Sequence, residues 1–404
     1  MERPLYSAQM EHTGHLAGKT ITVIKDIINI YATHVSHTKN TLNQKSVIQK
    51  TVLHSTGFSL KIDINMKKTN ITAFFAILMC MFSCSGKNIS PLSSTITISS
   101  NSENVLDCNV FTHSIDTLLI KSCGEYFSPV QAACLTDSNL YIIDKAGSIG
   151  CFNINTGCLE KKIRKVGHGT DEYINPISLC ESEGLIYVLD FQGCSILTYD
   201  LKLNFKKRVK LQFPALDFIK VPNGFLLYNM NVSDDLRQIV FVDIKGRVLS
   251  SYLSNKNDKD IMLTDKFFCM DIDGGIYFSE PSTNYIYKWE NNSLTPQYYI
   301  EMAIPEKKGI PKKDSNNEFN GQHIRSFVVG DQIVTLYMQD GIVLANSYKQ
   351  TQKKSYSGRV KTNIPYSFFP ITYYNGSLYG LYDIETNHNN NNAFMMLVKY
   401  EIKK

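Results

Sequence analysis

Leu185-Ile-Tyr-Val-Leu-Asp190, a break at Phe191-Gln-Gly-Cys194, then Ser195-Ile-Leu-Thr-Tyr-Asp200: the reading of this stretch decides the fold. Both runs are rich in β-branched and aromatic residues, the composition of strands. In Leu185–Leu189 both faces are apolar, whereas a sheet open to water on one side alternates cleanly between apolar and polar. These strands therefore belong to a sheet covered on both sides.

Outward from this stretch, the second run recurs as an aliphatic residue, two strand-like positions, a usually bulky position, then Asp, Asn or Glu. It appears as Ile149-Gly-Cys-Phe-Asn153, Ile196-Leu-Thr-Tyr-Asp200, Ile239-Val-Phe-Val-Asp243, Ile286-Tyr-Lys-Trp-Glu290, Ile342-Val-Leu-Ala-Asn346 and Leu397-Val-Lys-Tyr-Glu401. The first residues are 47, 43, 47, 56 and 55 apart. A partner run precedes each, for example Leu140-Tyr-Ile-Ile-Asp144 and Ile276-Tyr-Phe-Ser279, and another precedes that, as in Ile177-Ser-Leu-Cys180 and Phe267-Phe-Cys-Met270. Turn residues follow the acidic position: Asn155-Thr-Gly157, Lys245-Gly246, Asn291-Asn-Ser293. No helical pattern separates the strands, which excludes βαβ units. Equal spacing is not required of a sandwich or barrel, but it is required of a repeat architecture. The expected fold is all-β: a six-bladed β-propeller with four-stranded antiparallel blades.

Closure of such a ring needs one more strand. The last repeat ends at Glu401 with only Ile402-Lys-Lys404 remaining, too short for an outermost strand. An open ring would leave unpaired edges. The strand Ile115-Asp-Thr-Leu-Leu-Ile-Lys121 has no other repeat slot, so an N-terminal strand is expected to close the propeller beside Phe394-Met-Met-Leu-Val398.

Ahead of the repeats, Met66-Lys-Lys-Thr-Asn70 leads into the uncharged, mostly apolar run Ile71–Phe82 and then Ser83-Cys84. Twelve residues are too few to span a bilayer as a helix and suit the core of a secretory signal. The expected organisation is an upstream extension over 1–65, a lipoprotein signal peptide over 66–83 with lipidation at Cys84, a tether over 84–114, and the propeller over 115–404. The net charge of +5 belongs mainly to the leader. Residues 1–83 carry nine of the 42 Lys/Arg and four of the 37 Asp/Glu, so residues 84–404 hold 33 of each. No nucleic-acid partner is expected of a neutral body.

Val166-Gly-His-Gly-Thr-Asp-Glu-Tyr-Ile-Asn-Pro176, with the strands at 186–190 and 196–200 that follow, resembles the glycine-rich blade connection of the six-bladed propeller lipoproteins of Bacteroidota, distant relatives of NHL-repeat propellers. Gly167, Gly169, Glu172, Tyr173 and Pro176 carry the resemblance, which covers roughly residues 84–404. The family usually has Pro-Gly where this chain has Thr170-Asp171. The resemblance implies a lipid-anchored protein of the cell envelope. Ser85-Gly-Lys-Asn88 lacks the acidic run that family members use for surface export, which points to a periplasm-facing location.

Chemistry is sparse. Gly167-x-Gly169 opens no helix after a strand, so it is no dinucleotide fingerprint. After Met66 the histidines His113, His168, His323 and His388 are scattered. No spacing signals a metal site, a cofactor or a nucleophile–base pair, so catalytic residues, metal and cofactor are all expected to be none. The acidic residues at strand ends, Asp144, Asp190, Asp200 and Asp243, recur at equivalent positions, which suits turn capping. Candidate ligand contacts are the polar residues on or just after innermost runs: Asp217, Asp271, His323 and Arg325. They are expected at a channel mouth shared with the 165–175 and 305–321 loops. The reading is an envelope binding scaffold for a protein, peptide or glycan. The alternatives are a metal-dependent hydrolase or lyase of the kind NHL-like propellers include, and a structural subunit of an envelope complex.

Overall fold

In the computed structural model, the residues described are 8–10, 47–55, 58–66, 94–99, 103–229, 237–253, 266–280, 284–303, 322–339, 341–384 and 393–403. The leader run 67–83, Cys84, the 305–321 loop and the Asn run 386–392 lie outside the described residues. The chain divides into two compact units, Met1–Asn88 and Ile89–Lys404. In the first, Ala8–Met10, Val47–Ser55 and Phe58–Met66 form a three-stranded antiparallel sheet. No helix among the described residues is long and apolar enough to cross a membrane.

The second unit is a six-bladed β-propeller, each blade built on four antiparallel strands. Blade 1 runs through Val130–Leu135, Asn139–Asp144, Ile149–Asn153 and Leu159–Ile163. Blade 2 spans Pro176–Ser182 to Phe205–Lys210, blade 3 Ala215–Val221 to Val248–Tyr252, and blade 4 Phe268–Met270 to Ser293–Ala303. Blade 5 spans Gln322–Val329 to Lys354–Lys361. Blade 6 has Thr372–Tyr374, Ser377–Asp383, Ala393–Ile402 and, from the N-terminal side, Thr112–Lys121. The closing strand pairs Ile120 with Met395 and Leu118 with Leu397, the placement expected from the sequence.

The apolar character of both strand faces has its cause in the packing. Six buried clusters fill the six seams between neighbouring blades. Tyr141 and Ile143 of blade 1 meet Leu179, Ile186 and Leu197 of blade 2 in one seam. Ile120 and Leu397 of blade 6 meet Leu140 and Phe152 of blade 1 in another, which completes the ring. At that joint Lys121 N–H donates to Gly157 O at 2.7 Å. Gly157 has φ +71°, and a Cβ there would lie 1.9 Å from Leu119 O, so the turn after blade 1's third strand requires glycine.

The stretch 84–114, expected as a tether, contributes structure of its own. Ser94–Ser99 adds in parallel to the outer edge of blade 4, and Val105–Asp107 adds in parallel to blade 5. Ile96 and Ile98 are fully buried and Leu106 nearly so, which ties the segment to the ring. The strand-end acids cap turns. Asp144 accepts from Ser148 N at 2.7 Å and Ser128 N at 3.0 Å, and Asp190 from Asn175 N at 2.8 Å. Asp200 and Asp243 accept from amides within their own hairpins. The Asn204 amide and Lys206 hold the Asp200 carboxyl well below its ordinary range.

Candidate functional site: the central cavity

The inner strands converge on a cavity of about 480 Å³ lined from all six blades. A recurrent irregularity positions its polar groups. The first two strands of a blade slip register between Val130 and Ala132 in blade 1, Pro176 and Ser178 in blade 2, Ala215 and Asp217 in blade 3, and His323 and Arg325 in blade 5. Each slip is a β-bulge that re-aims the residues beyond it. Ala132, Ser178, Asp217 and Arg325 therefore occupy one equivalent ring position.

Asp217 is almost fully buried. Its Oδ1 accepts from Ser178 Oγ at 2.7 Å and from Lys266 Nζ at 3.1 Å. Its Oδ2 accepts from Phe267 N at 2.8 Å and Phe268 N at 3.3 Å. Lys266 Nζ also donates to Ser178 Oγ. One carboxylate thus ties blades 2, 3 and 4 together. Ser178 is itself fully buried and outside the cavity lining, so its contact with Lys266 is a tie rather than an exposed nucleophile with a base.

Three of the four candidate ligand residues, Asp217, Asp271 and Arg325, line the cavity. Asp271 is also a turn residue: its Oδ1 accepts from Ile272 N and from Gly330 N of blade 5, both at 2.7 Å. Arg325 donates from Nη1 to Ile371 O at 3.2 Å and lies about 6 Å from the Phe327 and Phe369 ring centroids. His323 is elsewhere. It is fully buried, with Nε2 3.1 Å from Ser279 Oγ and 2.9 Å from Ser326 Oγ, and it does not line the cavity. Lys266 was missed in the sequence because it precedes an inner strand instead of lying on one. Its only signal was its place directly before the apolar run that begins at Phe267.

The remaining wall is aromatic and sulfur-rich: Phe218, Phe268, Phe327, Tyr373, Tyr374, with Cys134, Cys180 and Cys269. Burial pushes the Cys180 and Cys269 thiols up to about 12 and the Cys134 thiol up as well. All three stay protonated near neutral pH, and a thiol is a poor nucleophile and metal ligand. All eight described cysteines are free. No three His, Cys, Asp or Glu side chains converge as a metal site among the described residues.

Residues 165–175 do not line the cavity, contrary to the expected channel-mouth role. The reason is topological. This loop enters the start of blade 2's inner strand, whereas the lining residues Leu179, Cys180 and Glu181 lie toward its end. The loop is internally braced. Gly169 N donates to Glu172 Oε2 at 2.7 Å, and a Cβ at Gly167 would lie 2.1 Å from that oxygen. Tyr173 is fully buried and its hydroxyl accepts from Lys165 N at 3.1 Å. Pro176 opens the inner strand, and its carbonyl accepts from Gln131 Nε2. Asp171 forms an ion pair with Lys165.

A family model described as a domain of unknown function (DUF4934) matches residues 127–403, from just ahead of blade 1's inner strand to the end of blade 6. The chain belongs to the DUF4934 family. Its fold is similar to that of a Bacteroides fragilis protein described as exported, with TM-score 0.60 and 14% identity over 77% of this chain and 100% of that one. A member of the DUF4221 family from Bacteroides vulgatus aligns at TM-score 0.44 and 8% identity over 72% and 97% of the two chains. No curated protein matches this DUF4934 chain.

Proposed function

We propose that this DUF4934 protein is a cell-envelope lipoprotein of the NHL-like propeller kind whose central cavity binds a ligand without transforming it. The observation that carries the reading is the cavity: about 480 Å³, with aromatic walls and a few fixed polar groups, and thiols that burial holds protonated. Binding sites are built this way, from apolar surface for affinity and sparse polar anchors for orientation. The ligand is a peptide, a glycan or an exposed tip of a protein that enters the channel. Among the candidate residues Arg325 is the cation in the cavity lining, flanked by the Phe327 and Phe369 rings, which makes it the anchor of choice for a polar or anionic group. Capture from solubilised envelopes, with peptide and glycan arrays probed in parallel, tests this. Arg325→Ala is expected to weaken capture by about tenfold or more, the scale of a charge-assisted hydrogen bond, while the melting curve stays cooperative. Undiminished capture by Arg325→Ala overturns the cavity as the site. Stoichiometric zinc or calcium with turnover of an ester, lactone or glycan replaces the reading with the hydrolase or lyase alternative.

The envelope assignment rests on Met66-Lys-Lys, the twelve-residue apolar run and Ser83-Cys84, and is supported by the exported description of the Bacteroides fragilis fold neighbour. Intact mass of envelope-extracted protein is expected to correspond to a diacyl- or triacyl-modified chain starting at Cys84. A mature chain that retains Met66 refutes it.

A further inference from the structure

Blade 2 holds a guanidinium whose inner edge meets no acceptor. Arg208 lies on the outermost strand Phe205–Lys210, opposite Leu197 of the third strand. Residues two apart on a strand share a face, so Arg208 is the diagonal neighbour of both Ser195 and Tyr199. Leu197 and Tyr199 are part of the seam with blade 1, which fixes that face as the one turned toward the neighbouring blade.

Arg208 Nε and Nη2 are buried and donate to no atom among the described residues. Tyr199 and Ser195 are fully buried, and their hydroxyls likewise have no partner there. No carboxylate of the described residues lies within ion-pair distance of Arg208. Asp171 comes under the influence of Arg208, but its carboxyl is held below the ordinary range first by Lys165, with which it pairs. Burial pushes the Tyr199 phenol up, and the groups that act on it next are Tyr173, Asp171 and Arg208. The outer strand and the 165–175 loop therefore meet around Tyr199.

The four orphaned atoms make a chemical set. In a guanidinium, Nε–H and Nη2–H point along one edge and take two oxygens of a single anion as a fork. Burying that edge without an acceptor costs free energy that an anion in the fork offsets. A carboxylate has two oxygens, and the fork uses both. The Tyr199 and Ser195 hydroxyls are donors for further oxygens, which phosphate and sulfate have. Arg208 is half-buried and stands at the blade's rim, and the exposed Lys207 and Lys210 add positive potential beside it, so a small anion enters from the rim rather than from the central cavity.

We propose that the seam between blades 1 and 2 binds a tetrahedral oxyanion, phosphate or sulfate, free or as an ester on a sugar, through the Arg208 fork and the Tyr199 and Ser195 hydroxyls.

Titration calorimetry of the full chain with inorganic phosphate, at ionic strength held constant with chloride, tests this. The wild type is expected to bind one phosphate. Arg208→Lys keeps the charge but loses the fork, and is expected to weaken binding about tenfold or more. Tyr199→Phe removes one hydroxyl from a buried ring and is expected to weaken it about fivefold; it carries the test should Arg208→Lys fail to melt cooperatively. Lys207→Gln removes a neighbouring cation on the other face of the strand, opposite Thr198, and is expected to change affinity about twofold or less. Glucose 6-phosphate is the second arm: tighter binding than inorganic phosphate assigns the ester, and equal or weaker binding assigns the free ion. Three results overturn the proposal. The first is no phosphate binding by the wild type, the result expected if Asp171 leaves Lys165 and fills the fork itself. The second is undiminished binding by both Arg208→Lys and Tyr199→Phe. The third is a loss in Lys207→Gln as large as in Arg208→Lys, which would reduce the effect to surface charge. None of these outcomes bears on the central cavity, whose lining includes none of these residues.

Discussion

Deletion of residues 112–121 is expected to leave the chain insoluble. The strand is blade 6's outermost, and its ladder runs from Lys121 opposite Ala393 to Thr112 opposite Ile402. Without it the longest strand of the blade becomes a bare edge, and the seam to blade 1 loses the fully buried Ile120 together with the Lys121–Gly157 link. A ring fails as a whole when one joint opens, because every blade is covered on both faces only while the ring is closed. Ile120→Ala is the graded version, expected to cost about 2–5 kcal/mol and to lower the denaturation midpoint without changing the cooperativity. A deletion variant that stays soluble and melts with the wild type would show that the ring closes by some other route.

Asp217→Ala is expected to lower unfolding free energy by about 3–5 kcal/mol, the scale for breaking a buried ion pair from one side, out of a total of roughly 5–15 kcal/mol. The substitution removes at once the acceptor of Lys266 Nζ, Ser178 Oγ and the Phe267 amide. Urea denaturation followed by Trp289 fluorescence reads it, since the only tryptophan lies in the seam between blades 3 and 4, which the Asp217 contact also spans. Asp243→Ala is the comparison. That carboxylate serves one hairpin alone, at Lys245 and Arg247, so its loss should stay near the ~1 kcal/mol of a turn cap. Equal effects of the two substitutions would refute the blade-joining role of Asp217.

The ring was legible in the sequence for a physical reason. Strands covered on both faces must be apolar on both faces, and the pattern Ile149…Asn153 to Leu397…Glu401 repeats because each blade solves the same packing problem against its neighbours. The strand-end acids were legible because turn capping is local: Asp200 and its donors Lys202 and Asn204 lie within four residues. The closing strand Ile115–Lys121 was legible by elimination, since a ring cannot end on a bare edge. The edge strands at 94–99 and 105–107 were not, because a lone short run has no periodic partner to announce it.

The cavity was decided by the tertiary structure. Lys266 meets Asp217 and Ser178 across sequence separations of 49 and 88 residues, which no spacing rule connects. His323 and Arg325 lie two apart on one strand, and strict alternation would send both side chains the same way. The register slip between them sends His323 into the Ser279–Ser326 network and Arg325 to the cavity wall. A bulge leaves almost no trace in hydrophobic periodicity, yet it reverses which face a residue presents. The sequence by itself determined the four repeated strands of each blade, the number of blades and the ring they close, because those follow from local composition and repeated burial; the two added edge strands and the polar anchors of the cavity were settled only by the tertiary structure, the anchors where bulged inner strands from different blades come together.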